Sequence, residues 1–248
     1  MLGVEIDQVK AQIVAKRRAL FNHALFQRSF SVLSPDLWIS VISEIPRDVK
    51  AAAIIGRDWV SGAATRLDHW RGFFFAGILA LIAALYILAD RLAHRVLQRA
   101  PQVIEPTRLQ KVMAALWVGA VTAVVPIMAA LAVAQTLHAF DLVNARLDPV
   151  LQAFVESVRR IALAAGIVRG LLAPLRPTWR LLDFTDSAAL RLANLVMGVV
   201  LIVSVMKVIE AINELIAVSL PVAVAVRAMG ATAVALLMAV SLKGIMGS

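Results

Sequence analysis

Four stretches of this chain are too long and too apolar for the interior of a water-soluble domain of its size. Residues 72–89 read GFFFAGILALIAALYILA, and residues 112–137 hold one proline and no charge. Residues 190–212 carry only Arg191, Lys207 and Glu210, near their ends, and residues 221–242 are broken only by Arg227. About 20 mostly apolar residues cross a hydrocarbon core ~30 Å thick, so each run is long enough to span. With 61% of the 248 residues hydrophobic and 17% charged, the surface-to-volume limit of a single domain leaves too little interior to hide this material. The sequence therefore predicts an all-α integral membrane protein.

A fifth run, residues 150–173, lies between Pro149 and Pro174 and is long enough to span, but it contains Glu156, Arg159, Arg160 and Arg169. Charges in lipid are costly unless they pair, snorkel or face other helices. Glu156 precedes Arg159 and Arg160 by three and four residues, the spacing that brings side chains together on one helical face. Loop charges then decide the count, because short cytoplasmic loops collect Lys and Arg. Arg91, Arg95, Arg99, Arg108 and Lys111 follow the first run, and Arg176, Arg180 and Arg191 follow the fifth. Only Arg146 falls in 139–149, and no basic residue falls in 213–220. Counting 150–173 as a span puts the basic loops and Lys243 on one side. Five spans, at about 72–89, 112–137, 150–173, 190–212 and 221–242, are therefore expected within a transmembrane domain of residues 72–248. The N-terminus is expected outside and the C-terminus inside.

Residues 1–71 have a different character, with seven acidic residues among ten Lys and Arg. Val9, Ile13, Leu20, Ala24 and Leu25 recur at helical spacing, which predicts an extracytoplasmic amphipathic helical segment. The stretch SPDLW, residues 34–38, reads as a helix start: Ser34 as N-cap, Pro35 at the first helical position and Asp36 in the first turn. No apolar run follows the basic N-terminal residues until Phe73, the opposite of a signal peptide, so an outside N-terminus implies that the segment belongs to a longer precursor.

The stretch LLAPLRPTWRLLDFTD, residues 171–186, interrupts the aliphatic chain with two prolines, two arginines and a tryptophan. Pro174 and Pro177 are expected to end a helix, since neither donates a backbone hydrogen bond. Arg176, Trp179 and Arg180 then form a headgroup anchor, the indole half wetted and the guanidinium groups on lipid phosphate. Asp183 or Asp186, followed by Ser187, offers a cap for the next helix. Arg91, Arg95 and Arg99 recur every four residues as a second basic stripe, read as a helix anchor or as an anionic-lipid site.

Small residues repeat every fourth position in three runs: Ala162, Gly166 and Gly170; Ala115, Gly119 and Ala123; Ala231, Ala235 and Ala239. Such faces predict close helix packing. Pro126 lies in mid-span and reads either as a tension hinge or as a static kink. Lys207 is an i,i+3 partner for Glu210 at a wetted helix end.

The sequence RSFSVLSPDLW, residues 28–38, and RGLLAPLRPTWRLLDFTDSAALRLANL, residues 169–195, together resemble the N-terminal region of large bacterial members of the small-conductance mechanosensitive channel superfamily. The resemblance implies a bacterial inner-membrane homo-oligomer, usually a heptamer, that opens under tension and releases solutes in osmotic shock. The family's Gly/Ala-alternating pore helix and β-rich cytoplasmic domain have no counterpart in these residues, so the chain is expected to be the tension-sensing, lipid-contacting portion. A non-conducting scaffold or accessory subunit and a small transporter are the alternatives. No Gly-rich phosphate loop, GxSxG, cysteine or spaced histidine cluster is present, so no enzymatic activity, cofactor or metal is expected. The net charge of +9 points to anionic membrane lipid, without an aromatic-basic platform for nucleic acid.

Overall fold

The computed structural model describes residues 34–98, 108–172 and 186–246, and every regular element among them is helical. The expected helical positions Val9, Ile13, Leu20, Ala24 and Leu25 lie outside the described residues. The elements are α1 (Pro35–Arg66), α2 (His69–Gln98), α3 (Arg108–Ala139), α4 (Asp148–Ile167), a π-helical turn (Val168–Leu172), α5 (Asp186–Ile216) and α6 (Leu220–Met246).

Helix α1 begins where SPDLW predicts, with Ser34 extended, Pro35 in the first turn beside Asp36, and the Leu37 amide 3.2 Å from the Ser34 carbonyl. It runs unbroken through Pro46 to a break at Leu67 and Asp68. Among the described residues four helices contain segments long and apolar enough to cross a membrane: Trp70–Leu92, Arg108–Ala139, Ala188–Ile216 and Leu220–Ser241. Helix α4, which carries the expected third span, is not among them, because Glu156, Arg159 and Arg160 interrupt its apolar character. Pro149 lies in its first turn, and Asn144 organises the approach by accepting from the amides of Arg146 at 3.2 Å and Leu147 at 3.0 Å.

Each helix packs beside its neighbour in sequence from α2 to α6, and α1 returns to lie against α6 and, less extensively, α5. The buried residues are mostly small: Ala115, Ala123 and Ala134 on α3, Ala162 and Ala164 on α4, Ala189 and Ala193 on α5, Ala225 on α6. The large side chains point outward, as Trp70, Phe73, Leu116, Leu201 and Val240 do. This is the packing of helices in lipid, where close backbone approach holds the bundle and an apolar exterior carries no penalty. Helix α1 is anchored by Leu37 and Val41, buried against Ala225 with Val222 and Val224 beside them.

Helices α3 and α5 both end on a left-handed residue that is not glycine, Asp141 (φ 55°) and Ala217 (φ 54°). Leu142 donates to the Leu137 carbonyl at 2.9 Å and Asp141 to His138 at 3.0 Å; Val218 and Ala217 repeat the pattern on Asn213 and Glu214 at 2.9 and 3.2 Å. Both ends are Schellman caps, which satisfy carbonyls the helix leaves open.

Candidate functional site

The contact between α3 and α4 is built from backbone. A Cβ placed on Gly166 would stand 2.6 Å from the Gly119 carbonyl oxygen, one on Gly170 would stand 2.7 Å from the Ala115 oxygen, and one on Gly119 would meet Gly166 oxygen at 3.2 Å. Two of the expected small-residue faces therefore pack on each other within one chain: Ala162, Gly166 and Gly170 against Ala115, Gly119 and Ala123. The π-turn starts just after Gly166 and contains Gly170, and Val168 is buried there with Ala193 of α5. The third face is different: Ala231, Ala235 and Ala239 are exposed on α6. Pro126 lies within an unbroken α3, one turn from buried Ala123.

On the opposite side of α4 is a polar contact with α5. Ser157 donates to Ala153 oxygen at 2.7 Å in its own helix and approaches the Ser204 carbonyl oxygen at 3.1 Å. Ser204 Oγ is itself buried without a hydrogen-bond partner. The charges on both helices lie around this level. Arg159 Nη2 is 2.8 Å from Glu156 Oε2, and Arg160 Nε is 3.4 Å from Oε1. On α5, Lys207 Nζ lies 2.7 Å from Glu210 Oε2, and Arg227 Nε reaches across from α6 to within 2.8 Å of Oε1.

At ~1.5 Å rise per residue, Glu156 to Arg160 stand ~12–18 Å along α4 from Asp148, while Lys207, Glu210 and Arg227 stand ~9–14 Å from the nearer ends of α5 and α6. The result is a belt of Glu156, Ser157, Arg159, Arg160, Ser204, Lys207, Glu210 and Arg227 across three helices. Three of its four cations face outward: the Arg159, Lys207 and Arg227 side chains are 56%, 54% and 68% exposed, while Arg160 is half-buried. Each three-residue group, Glu156 with Arg159 and Arg160 and Glu210 with Lys207 and Arg227, retains one excess positive charge.

The pairing of Glu156 with both arginines and of Glu210 with Lys207 follows from i,i+3 and i,i+4 spacing. The Arg227 contact, 17 residues away on another helix, has no such sequence signal, nor has the serine contact between Ser157 and Ser204.

The expected lipid anchors are only partly described. Arg91 is exposed on α2, ~33 Å along the helix from His69 at ~1.5 Å per residue. The Arg95 side chain, and Arg99, Pro174, Arg176, Pro177, Trp179, Arg180 and Asp183, lie outside the described residues. Among the described residues no three His, Asp or Glu side chains gather to hold a metal ion.

Four apolar helices among the described residues, with a small-residue interior, an apolar exterior and helical elements throughout those residues, define a multi-pass membrane protein. The family described as "Protein of unknown function (DUF3772)" matches residues 1–56, which include the first part of α1. No curated protein and no solved structure matches the chain.

Proposed function

We propose that this chain is the tension-sensing, lipid-contacting membrane portion of a mechanosensitive channel of the bacterial inner membrane, serving osmotic adaptation. The observation that carries the reading is the placement of α2. None of the apolar window within Trp70–Leu92 is buried, and the helix adjoins the rest of the bundle mainly through α3. A helix so exposed takes the lateral pressure of the bilayer directly, and α3 passes its displacement to the backbone-tight contact with α4. The two motifs at residues 28–38 and 169–195 supply the family expectation.

The proposal includes five crossings, with α4 as the third. Trp59 Nε1 donates to the Leu142 carbonyl at 2.8 Å, and Ser219 Oγ lies 3.4 Å from Asp48 Oδ2. Asp48 and Trp59 are ~16 Å apart along α1 at ~1.5 Å per residue, about half the hydrocarbon thickness. These contacts support placing the α3–α4 and α5–α6 loops on one face, and with that placement α4 crosses between them. Its α-helical part is ~30 Å long by the same rise. Charge asymmetry puts this face outside, with the C-terminus inside.

Helix α1 then lies at the outer interface. Its exposed Ile39, Ile42, Pro46, Val49, Ala53 and Val60 form one apolar face within an arc of about 100°, bordered by Lys50 and Arg57. Leu37, Val41 and Ile55 lie on the face turned to the bundle. This arrangement suits a helix with one side on protein, one on acyl chains and one in water. The outward charges of the polar belt favour a homo-oligomer, because a neighbouring copy spares Arg159 and Arg227 from lipid; the family resemblance makes it a heptamer with anionic lipid around it.

The test is spin-label distance measurement in liposomes, using the absence of cysteine for clean labelling at Leu85 on α2 and Val203 on α5. Hypo-osmotic swelling is expected to change this distance below lytic tension; an unchanged distribution up to lysis defeats the sensing role. Residues 1–248 reconstituted alone are expected to give no stretch-activated conductance, and reproducible openings would reject the sensor-only assignment.

A further inference from the structure

A cavity of about 230 Å³ opens between α1 and the α3–α4 loop, next to the last turn of α5. Asp58, Trp59 and Arg66 line it from α1, Asn144 and Arg146 from the loop, and Leu215 from α5. Two bonds from cavity-lining residues hold the loop to α1: Trp59 donates to Leu142 oxygen at 2.8 Å, and Arg66 Nη1 donates to the Asp141 carbonyl. The Arg66 bond uses one of the five donors of a guanidinium. Asn144 has its Oδ1 engaged by two backbone amides, so its amide NH₂ remains as a donor.

Two guanidinium groups, one carboxylate and an amide NH₂ around one small cavity form a dipolar site. A guanidinium matches phosphate oxygens in a forked geometry, while an aspartate accepts from an ammonium group. The volume is below the about 300–1,000 Å³ of pockets that enclose a whole small molecule, so it admits a headgroup and leaves a long apolar tail outside. Ile55, Leu147 and Leu215 give the same cavity apolar walls against which the first methylenes of such a tail can lie. We propose that this cavity binds a phosphate monoester or diester bearing a primary amine, of the phosphoethanolamine type, with phosphate on Arg66 and Arg146 and ammonium on Asp58. The membrane source of this chemistry is phosphatidylethanolamine. The inference deepens the reading above, because a lipid held there ties α1 and the α3–α4 loop to the outer leaflet.

The experiment uses purified residues 1–248, delipidated and titrated with phosphatidylethanolamine, phosphatidylglycerol or phosphatidylcholine, with retained lipid counted by native mass spectrometry. Phosphatidylethanolamine is expected to be retained roughly ten-fold better than phosphatidylglycerol, the ratio that one charge-assisted hydrogen bond supplies. Asp58→Asn is expected to abolish that preference while keeping phospholipid bound, and Arg146→Gln to weaken retention of both lipids by roughly ten-fold. Circular dichroism and elution volume check that the variants keep their fold. Equal retention of the three lipids by the unaltered protein overturns the proposal.

A photoreactive amine-headgroup lipid supplies a readout that needs no variant: crosslinks at residues 58–66 or 144–147 support the site, and crosslinks confined elsewhere refute it. Soluble phosphoethanolamine separates the sources. Competition at concentrations equal to those of the lipid would support the site chemistry but overturn a lipid source; weak competition supports the lipid. A lipid-selective protein whose spin-label distances ignore tension would retain this site and lose only the sensing role.

Discussion

Gly166 and Gly119 face each other across the α3–α4 contact so closely that a methyl group on Gly166 would lie 2.6 Å from the Gly119 carbonyl oxygen. Gly166→Ala must therefore push two backbones apart. Overpacking of this kind costs about 1–3 kcal/mol. Gly198→Ala is the control: its Cβ would meet the Leu237 Cδ2 at the same distance, but a side-chain tip can rotate away. Reversible unfolding followed by circular dichroism is expected to rank Gly166→Ala well below Gly198→Ala in stability. Equal losses would mean that the α3–α4 contact is compliant.

Glu156→Ala removes the partner of both Arg159 and Arg160. In water such exposed pairs contribute only about 0–1 kcal/mol. If α4 crosses the bilayer, the abandoned arginines lie in a low-dielectric region and the loss exceeds that range. Measured in nanodiscs, a destabilisation above about 1 kcal/mol is expected; a neutral outcome assigns α4 to the interface instead.

Glu210 joins α5 to α6 through Arg227 and is also held by Lys207 on its own helix. Only the first bond fixes two helices together. A double-mutant cycle on Glu210→Gln and Arg227→Gln is expected to return a coupling of about 0.5–3 kcal/mol, larger than the cycle with Lys207→Gln. The reverse order would make Arg227 a solvent-facing bystander.

Ala217 occupies a left-handed conformation at the end of α5, where a Cβ costs roughly 1–2 kcal/mol. Glycine removes that cost but adds freedom to the unfolded chain, worth about 0.4–1 kcal/mol in the other direction. Ala217→Gly is thus expected to stabilise the protein by roughly 0 to 1.6 kcal/mol. A lower melting temperature would show that the Ala217 methyl makes a contact worth more than the strain.

Ala145 and Ala217, one in each of the loops that α1 touches, provide a test of the crossing count. Cysteine at either position is expected to react with an impermeant maleimide added outside intact cells, while cysteine at Thr178 is expected to be shielded. Labelling of 145 and 217 from opposite sides would remove α4 from the spans and restore a four-crossing topology.

Several particulars were readable from one dimension because their causes are local. Ser34, Pro35 and Asp36 mark the start of α1 since an extended residue, the fixed proline φ and an acidic first turn act within one turn, without a side-chain cap from Ser34. Glu156 with Arg159 and Arg160, and Lys207 with Glu210, pair because helical spacing alone puts them together. The small residues of α3 and α4 were legible as packing faces, but their choice of each other was not, nor was the exposure of Ala231, Ala235 and Ala239. The π-turn at Val168–Leu172 and the left-handed Ala217 left no mark in residue type, as glycine is the usual signal for such a cap and Ala217 is not one.

Apolar run length and composition determined, without any structure, that this protein is helical and lives in a membrane: a backbone in lipid must satisfy its own hydrogen bonds, and the long runs leave helices as the way to do it. What the tertiary structure decided is which faces meet. The pairing of Gly119 with Gly166, of Glu210 with Arg227, and of Trp59 with the Leu142 carbonyl joins residues far apart in sequence. Such partners depend on the relative placement of whole helices, a property that no local propensity or spacing encodes.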